Sequence, residues 1–400
     1  MLQKLLDLDV TNKRVLLRID LNLPVKNGKI TDSTRITRSL PTIKHLVQKQ
    51  AKTIIISHCG RPQGIFDRNK SMAIMADELQ KHARQEVKFC SESIGEKALK
   101  AVATLLPGEI LVLENLRFHK GEEDCDEEFT KELAKLGEIY INDTFSCSHR
   151  KHASIFGLPE IMESGAGFSL VSELDNMQKL LSDPVPPFTA IIGGSKISSK
   201  TNLLSALVDK VDNLVIGGAM ANTFLVAKGY NMGKSLVEES YIENTKRILD
   251  KAEKLRKKII LPSDLVVAEN NKENALCKIV PIDKIANNEV ALDIGPNSTE
   301  YISSIIKNSN SLVWNGPMGA FENPLFNCST QHLARVISSQ TLNCNLLSVV
   351  GGGDTIFAIK LAGLSGQFSY VSTGGGAFLE WLERRSLPGI EALQNAYCKY

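Results

Sequence analysis

The chain has no run of eighteen apolar residues, so nothing in it reads as a bilayer span. Its eight cysteines are scattered without a CxxC pair. That argues against structural zinc and against a dense disulfide framework, and reduced thiols in a cytoplasm are expected. Strong charge is absent too. A formal net charge of +2 marks no nucleic-acid or membrane-surface partner, so any anion site must be local. The first ten residues carry Asp7 and Asp9 and no long apolar core, unlike a signal or transit peptide. No internal repeat or low-complexity tract stands out. Neither G-x-x-x-x-G-K-[ST] nor G-x-G-x-x-G occurs at a strand-to-helix junction, and no H-R-D kinase loop is present.

What is present is ordinary for a globular protein: 43% hydrophobic and 23% charged residues over 400 positions, enough for two domains with separate cores. Short runs rich in Val, Ile and Leu predict strands at Val15–Ile19, Thr53–Ser57, Ile110–Leu113 and Glu138–Ile141 in the first half. In the second half they fall at Thr189–Ile192, Asn213–Ile216, Lys258–Leu261, Leu312–Trp314, Leu346–Val350 and Tyr370–Ser372. Little polar alternation within these runs suits strands buried on both faces. Amphipathic segments such as Ile36–Gln48, Tyr241–Lys257 and Thr330–Ser339 lie between them. The alternation predicts an α/β fold, with helices flanking a parallel sheet, twice over. Phe168–Leu181 has helical apolar spacing and runs into the proline-rich stretch Asp183–Pro187, which reads as a stiff connector.

Ligands of open parallel sheets gather beyond the carboxyl ends of the strands. In the first half those ends carry Asp20-Leu21-Asn22 (with Arg35 and Arg38 further on), His58-Cys59-Gly60-Arg61, Glu114-Asn115-Leu116-Arg117, and Asn142-Asp143-Thr144 followed by His149-Arg150-Lys151-His152. A guanidinium fork pairs with phosphate or carboxylate through two parallel charged hydrogen bonds. A single arginine is most simply a solvated surface charge; several at successive strand ends point to a small polyanion. His58, His149 and His152 read equally as satisfied structural histidines or as site groups, and no acid–histidine spacing supports a metal. Cys59 and Cys147 read as small loop residues, with a reactive thiol as the alternative in basic surroundings.

In the second half the strand ends are glycines: Gly193-Gly194-Ser195-Lys196, Gly217-Gly218-Ala219, Gly351-Gly352-Gly353-Asp354-Thr355 and Thr373-Gly374-Gly375-Gly376. Glycine lets backbone amides approach phosphates, and a helix starting just beyond adds its positive dipole end. One Gly-Gly turn is explained by tight helix–strand packing; GGGDT and TGGG together are harder to explain that way. Asp354 is the acid in these turns, and one carboxylate plus substrate phosphates is a common way to hold Mg²⁺. Lys196 and Lys200 are expected on one face of the following helix, either reaching phosphates or forming a solvated basic face. Glu322, after Asn315-Gly316-Pro317-Met318-Gly319, reads as a ribose ligand or as a helix N-terminal charge.

With these segments in view, the chain resembles the phosphoglycerate kinase family nearly end to end, through RVLLRIDLNLPV, SHCGRP, ENLRF, HRKHAS, GGSKISSK, NGPMGAFE, GGGDT and STGGGAFLEWLE. The resemblance implies two doubly wound, Rossmann-like parallel-sheet lobes joined by a helix. It also implies a C-terminal segment that returns to the first lobe. The corresponding domains are 1–182 for phosphoglycerate, 183–385 for nucleotide, and 386–400 packing back on the first. It implies that Asp20, Asn22, Arg35, His58, Arg61, Arg117 and Arg150 bind 3-phosphoglycerate or 1,3-bisphosphoglycerate. Lys200, Glu322, Gly352, Gly353, Asp354 and Thr355 would bind ATP or ADP, with Mg²⁺ at Asp354. Catalysis would fall to Arg35, Lys196 and the amides of Gly374, Gly375 and Gly376. Small-molecule substrates, a monomer, a cytoplasmic setting, and no nucleic-acid or membrane partner complete the expectation. The chain departs from the family pattern at Cys59, at Thr144–Ser148, near Cys328-Ser329, and at Phe378.

An acceptor carboxylate is already ionised at neutral pH, so transfer needs no general base. The work is positioning and charge stabilisation, with closure about a hinge near Phe168–Pro187. Two other readings are a dinucleotide-dependent dehydrogenase, whose fingerprint glycines are missing, and a non-catalytic nucleotide-binding or scaffold protein. The second would be expected to lack Arg35, Lys200 or Asp354, and all three are present.

Overall fold

The computed structural model describes residues 2–182, 184–384 and 386–399. Met1, Asp183, Arg385 and Tyr400, which end or begin predicted segments, lie outside the described residues. The chain divides into two compact units, Met1–Asp175 with Ser386–Tyr400, and Asn176–Arg385.

The first unit is built on a six-stranded parallel sheet. Its order is Val87–Cys90, Ile110–Leu113, Lys52–Ile56, Arg14–Arg18, Ile139–Asn142, Glu163–Ala166. From Arg14–Arg18 the chain winds outward toward one edge, then returns to the other side of that strand at Ile139–Asn142. The winding therefore reverses between these two strands, where ligand crevices form in open sheets. Val15, Leu17, Ile55, Ile110, Val112 and Ile141 are buried in one core with Ile36, Ile43 and Leu46 of the helix Thr34–Gln48. Each such side chain contributes about 1.5–3 kcal/mol when fully buried. The helix Pro388–Tyr397 belongs to this unit. The Gly389 amide donates to Ser148 O at 2.8 Å. A Cβ on Gly389 would lie 2.6 Å from Ile155, so only glycine permits this approach.

The second unit repeats the plan, with strand order Lys258–Ile260, Asn213–Ile216, Phe188–Ile192, Ser311–Asn315, Leu347–Gly351, Tyr370–Ser372, all parallel. Its winding reverses between Phe188–Ile192 and Ser311–Asn315. A separate antiparallel sheet, ordered Lys278–Pro281, Asp264–Ala268, Val290–Ile294, flanks it. The helix Phe168–Ser182 carries the chain from one unit to the other.

Every predicted strand is present within a residue or two at its ends. Four strands of the two large sheets and their surroundings were not anticipated as such: Val87–Cys90 and Glu163–Ala166 in the first sheet, and the hairpin Val25–Lys26 with Lys29–Ile30. The three-stranded sheet was also unanticipated. One expectation is corrected. Lys196 and Lys200 do not share a helical face, because the helix begins only at Thr201. Glu238 takes the amide and hydroxyl of Ser198, which holds the intervening residues in turns.

Candidate active site

The first unit gathers its basic groups at the carboxyl ends of its strands. Arg117 is buried, and burial lowers its pKa from the ordinary arginine value. Its Nη1 donates to Gly60 O at 2.8 Å. Its Nε lies 3.2 Å from Glu123 Oε1 but is not aligned to donate to it. Its Nη2 bonds to no described residue. Arg150 is close enough for its charge to bear on Arg117 and His149.

His58 is buried and its pKa lies well below the usual imidazole value, first through burial and then through Arg18, Arg117, His152 and Arg35. Arg18 Nη2 sits 2.9 Å from His58 Nδ1. Arginine can only donate, so Nδ1 accepts and the proton of the neutral ring resides on Nε2. Burial pushes His149 down to about 4, and its Nδ1 is buried with no partner among the described residues. Both imidazoles can thus serve as neutral hydrogen-bonding groups among arginines. Arg35 holds the near edge: its Nη1 donates to Asn22 O at 2.7 Å and lies 3.1 Å from both oxygens of Asp20. Asn22 Oδ1 accepts the Gly60 amide at 2.9 Å, tying two strand ends together. Arg61 is exposed and bonds to no described residue.

Sequence reasoning passed over Arg18, which is buried inside its strand. Its Nε donates to Ser154 Oγ at 3.0 Å, and Ser154 in turn donates to the buried Glu122 at 2.6 Å. The available signal was a charged residue closing the otherwise apolar run Val15–Leu17. Ser146, one of the departures from the family pattern, donates its hydroxyl to Asp20 Oδ2.

In the second unit, glycine turns pack against one another at the point of reversal. A Cβ on Gly193 would fall 2.0 Å from Pro317 O, and one on Gly218 would fall 2.6 Å from Gly194 N and O. Lys200 Nζ bridges the same junction, donating to Gly193 O and to Asn315 Oδ1, both at 2.7 Å. Burial lowers the Lys200 pKa to about 8, with Asp354 acting in the opposite sense. Lys196 is exposed and makes no ion pair among the described residues. Beside the junction opens a cavity of about 250 Å³, whose lining includes Gly194, Gly218, Leu292, Met318, Glu322 and Asp354.

The helix Gly353–Leu361 starts at the GGGDT turn. The amides of Gly353, Asp354 and Thr355 meet no acceptor among the described residues, and a Cβ on Gly353 would meet only open space. Gly352 has φ +101°. Thr355 Oγ1 accepts the Gly316 amide at 2.7 Å, leaving its proton to donate. Asp354 and Glu322 are exposed and bond to no described residue. Among the described residues no group of three His, Cys, Asp or Glu side chains could hold a metal by itself. In the TGGG turn the Gly374 amide is taken by Ser372 Oγ at 3.1 Å, while those of Gly375 and Gly376 meet no described acceptor. Of the departures, Phe378 is fully buried against Gly351, where a Cβ would approach its ring to 2.7 Å.

No helix among the described residues is long and apolar enough to cross a membrane. The family model for phosphoglycerate kinase matches residues 5–385. A phosphoglycerate kinase of Orientia tsutsugamushi (strain Ikeda) is 48% identical over 397 residues, covering 98% of this chain and 97% of its own length. One from a Chelativorans species is 49% identical over 387 residues, covering 97% of each. Among solved structures, the phosphoglycerate kinase of Coxiella burnetii matches with a TM-score of 0.90 at 38% identity, over 99% of both chains. That of Pyrococcus horikoshii OT3 matches with a TM-score of 0.86 at 29% identity, over 100% of both. The chain therefore belongs to the phosphoglycerate kinase family, a phosphotransferase of glycolysis that moves a phosphoryl group reversibly between 1,3-bisphosphoglycerate with ADP and 3-phosphoglycerate with ATP.

Proposed function

We propose that the first unit binds the phosphoglycerate and the second the nucleotide, with functional boundaries near 1–182, 183–385 and 386–400. The observation that carries this reading is the contrast between the two sheets. One ends its strands in arginine, histidine and asparagine within a shared electrostatic field, the other in glycine amides at helix starts. Arg61, Arg117 and Arg150 grip the anionic ends of the substrate with His58, while Asn22 and Asp20 take its hydroxyl and fix its orientation. Glu322 receives the ribose, and Lys200, Gly352, Gly353 and Thr355 hold the phosphates at the helix start.

Asp354 suits a magnesium ion carried by the nucleotide: it is exposed, uncommitted, and beside the free amides. One carboxylate with phosphate oxygens completes such a site, and the ion would neutralise phosphate charge. The substrate carboxylate needs no base. Arg35, Lys196 and the free amides of Gly375 and Gly376 stabilise the migrating phosphoryl group, and losing one such donor costs about a hundredfold in rate. The enzyme works as a cytoplasmic monomer.

Crystals grown with 3-phosphoglycerate and Mg·ADP test the assignment. Ligand phosphate density on Arg61, Arg117 and Arg150, with a divalent ion against Asp354, supports it. Substrate seated elsewhere on the chain overturns it.

A further inference from the structure

We propose that the Ser146 hydroxyl is a positioning group for Arg35, acting through the Asp20 carboxylate. This rests on the assignment of Arg35 to the migrating phosphoryl group. The three residues meet where the winding of the first sheet reverses: Asp20 follows Arg14–Arg18, and Ser146 follows Ile139–Asn142.

Arg35 has little else to hold it. Both of its described partners engage Nη1: Asn22 O at 2.7 Å and Asp20 at 3.1 Å. Its Nε and Nη2 bond to no described residue, and its side chain is 33% exposed, so the far edge of the guanidinium is presented to ligand. The direction of that edge follows the Asp20 carboxylate, which is only 11% exposed.

Asp20 Oδ1 accepts the Asn22 amide at 3.0 Å. That bond alone leaves the carboxylate free to turn about Cβ–Cγ, because terminal torsions of this kind are soft. The Ser146 hydroxyl donates to Oδ2 and fixes the plane from the opposite side. Ser146 is itself held. It lies in the tight turn Phe145–Cys147, its Oγ is 3.2 Å from Thr144 Oγ1, and Ser148 Oγ returns to Thr144 O at 2.8 Å. The Thr144 amide is anchored on Asn142 Oδ1 at 3.0 Å, at the end of the strand.

The bond also shares out charge. A carboxylate oxygen that accepts a hydroxyl proton pulls less strongly on a neighbouring guanidinium. Arg35 is thereby aimed without being locked, and can turn to the phosphoryl group as charge develops there. The same turn leads into His149 and Arg150, so Ser146 registers this loop against the arginine of its neighbour.

A double-mutant cycle tests the proposal, with kcat and nucleotide KM measured for Ser146→Ala, Ser146→Thr, Asp20→Ala and Ser146→Ala/Asp20→Ala. A hydrogen bond to a charged group sets the scale of the effect. Ser146→Ala should lower kcat by about tenfold. Nucleotide KM should stay within about twofold of the parent, and Ser146→Thr should recover most of the rate. In the Asp20→Ala background the Ser146→Ala change should add nothing. A kcat within about twofold of the parent overturns the proposal, as does an equal loss in both backgrounds or failure of threonine to rescue. Arg35→Ala separates this from the underlying assignment. If Arg35→Ala retains turnover, the role of Arg35 is wrong whatever Ser146 does. If Arg35→Ala is inactive while Ser146→Ala is silent, only the positioning role falls.

Discussion

Replacing Lys200 with methionine removes a charge that the second unit holds at a cost. Its ammonium is mostly buried and donates to Gly193 O and Asn315 Oδ1 at 2.7 Å. Desolvation brings its pKa down to about 8. In the free enzyme two effects of Lys200→Met oppose each other. Leaving the two acceptors unpaired costs about 1–3 kcal/mol each, while relief of the desolvated charge offsets much of that. The thermal midpoint should therefore move by only a few degrees. Nucleotide binding has no such offset. A charged hydrogen bond to phosphate contributes about 1.5–3 kcal/mol, so the dissociation constant for Mg·ADP should rise roughly ten- to a hundredfold.

The parent carries its own signature of the same lysine. If the nucleotide binds the protonated form, the apparent dissociation constant scales as 1 + 10^(pH − 8), taking the pKa of about 8. Between pH 7 and pH 9 that factor weakens binding by about tenfold. Calorimetric titration of Mg·ADP across this range, on parent and Lys200→Met, reads both effects. The variant should lose this pH dependence. Affinity of Lys200→Met within threefold of the parent at pH 7, or a flat parent profile up to pH 9, would refute the reasoning.

Gly352→Ala must place a Cβ at φ +101° and 2.5 Å from Asn315 Nδ2. It should lose about 1–3 kcal/mol of stability in denaturant titrations and weaken nucleotide binding through the Asn315–Lys200 bridge. Burial raises the Asp143 pKa to about 7 from 3.8. Its contribution to stability is therefore full below the unfolded value and is lost as pH rises through about 7. Asp143→Asn should accordingly flatten the fall in thermal midpoint between pH 5 and pH 8. Binding of both reactants should lower the radius of gyration in small-angle scattering, whereas either alone should do so less; an unchanged radius counts against closure about the helix Phe168–Ser182.

Much of this architecture was legible in the sequence because strands buried on both faces advertise themselves as runs such as Ile110–Leu113 and Asn213–Ile216. The residues just beyond them form the arginine-, histidine- and glycine-bearing turns on which the proposed site rests. Glu163–Ala166 escaped notice because its sequence, Glu-Ser-Gly-Ala, has almost no apolar signal; neighbouring packing makes it a strand. Val87–Cys90 is only four residues long, buried at its two ends and open at Lys88 and Phe89, so it shows neither strict alternation nor a continuous apolar run. The turn holding Lys196 clear of the helix depends on Glu238, 40 residues further on from Ser198, which no local pattern reveals. Arg18 and Ser146 were hidden for a related reason. Their partners, Ser154, His58 and Asp20, become neighbours only when the strands are laid side by side.

A coupled assay of the purified protein with 3-phosphoglycerate, ATP and magnesium is the most direct test of the reaction. The parent should phosphorylate 3-phosphoglycerate in a metal-dependent manner. Arg35→Ala should lose at least about a hundredfold in kcat while binding nucleotide as the parent does. Turnover of Arg35→Ala within a few-fold of the parent, or transfer by the parent that is indifferent to 3-phosphoglycerate, would contradict it.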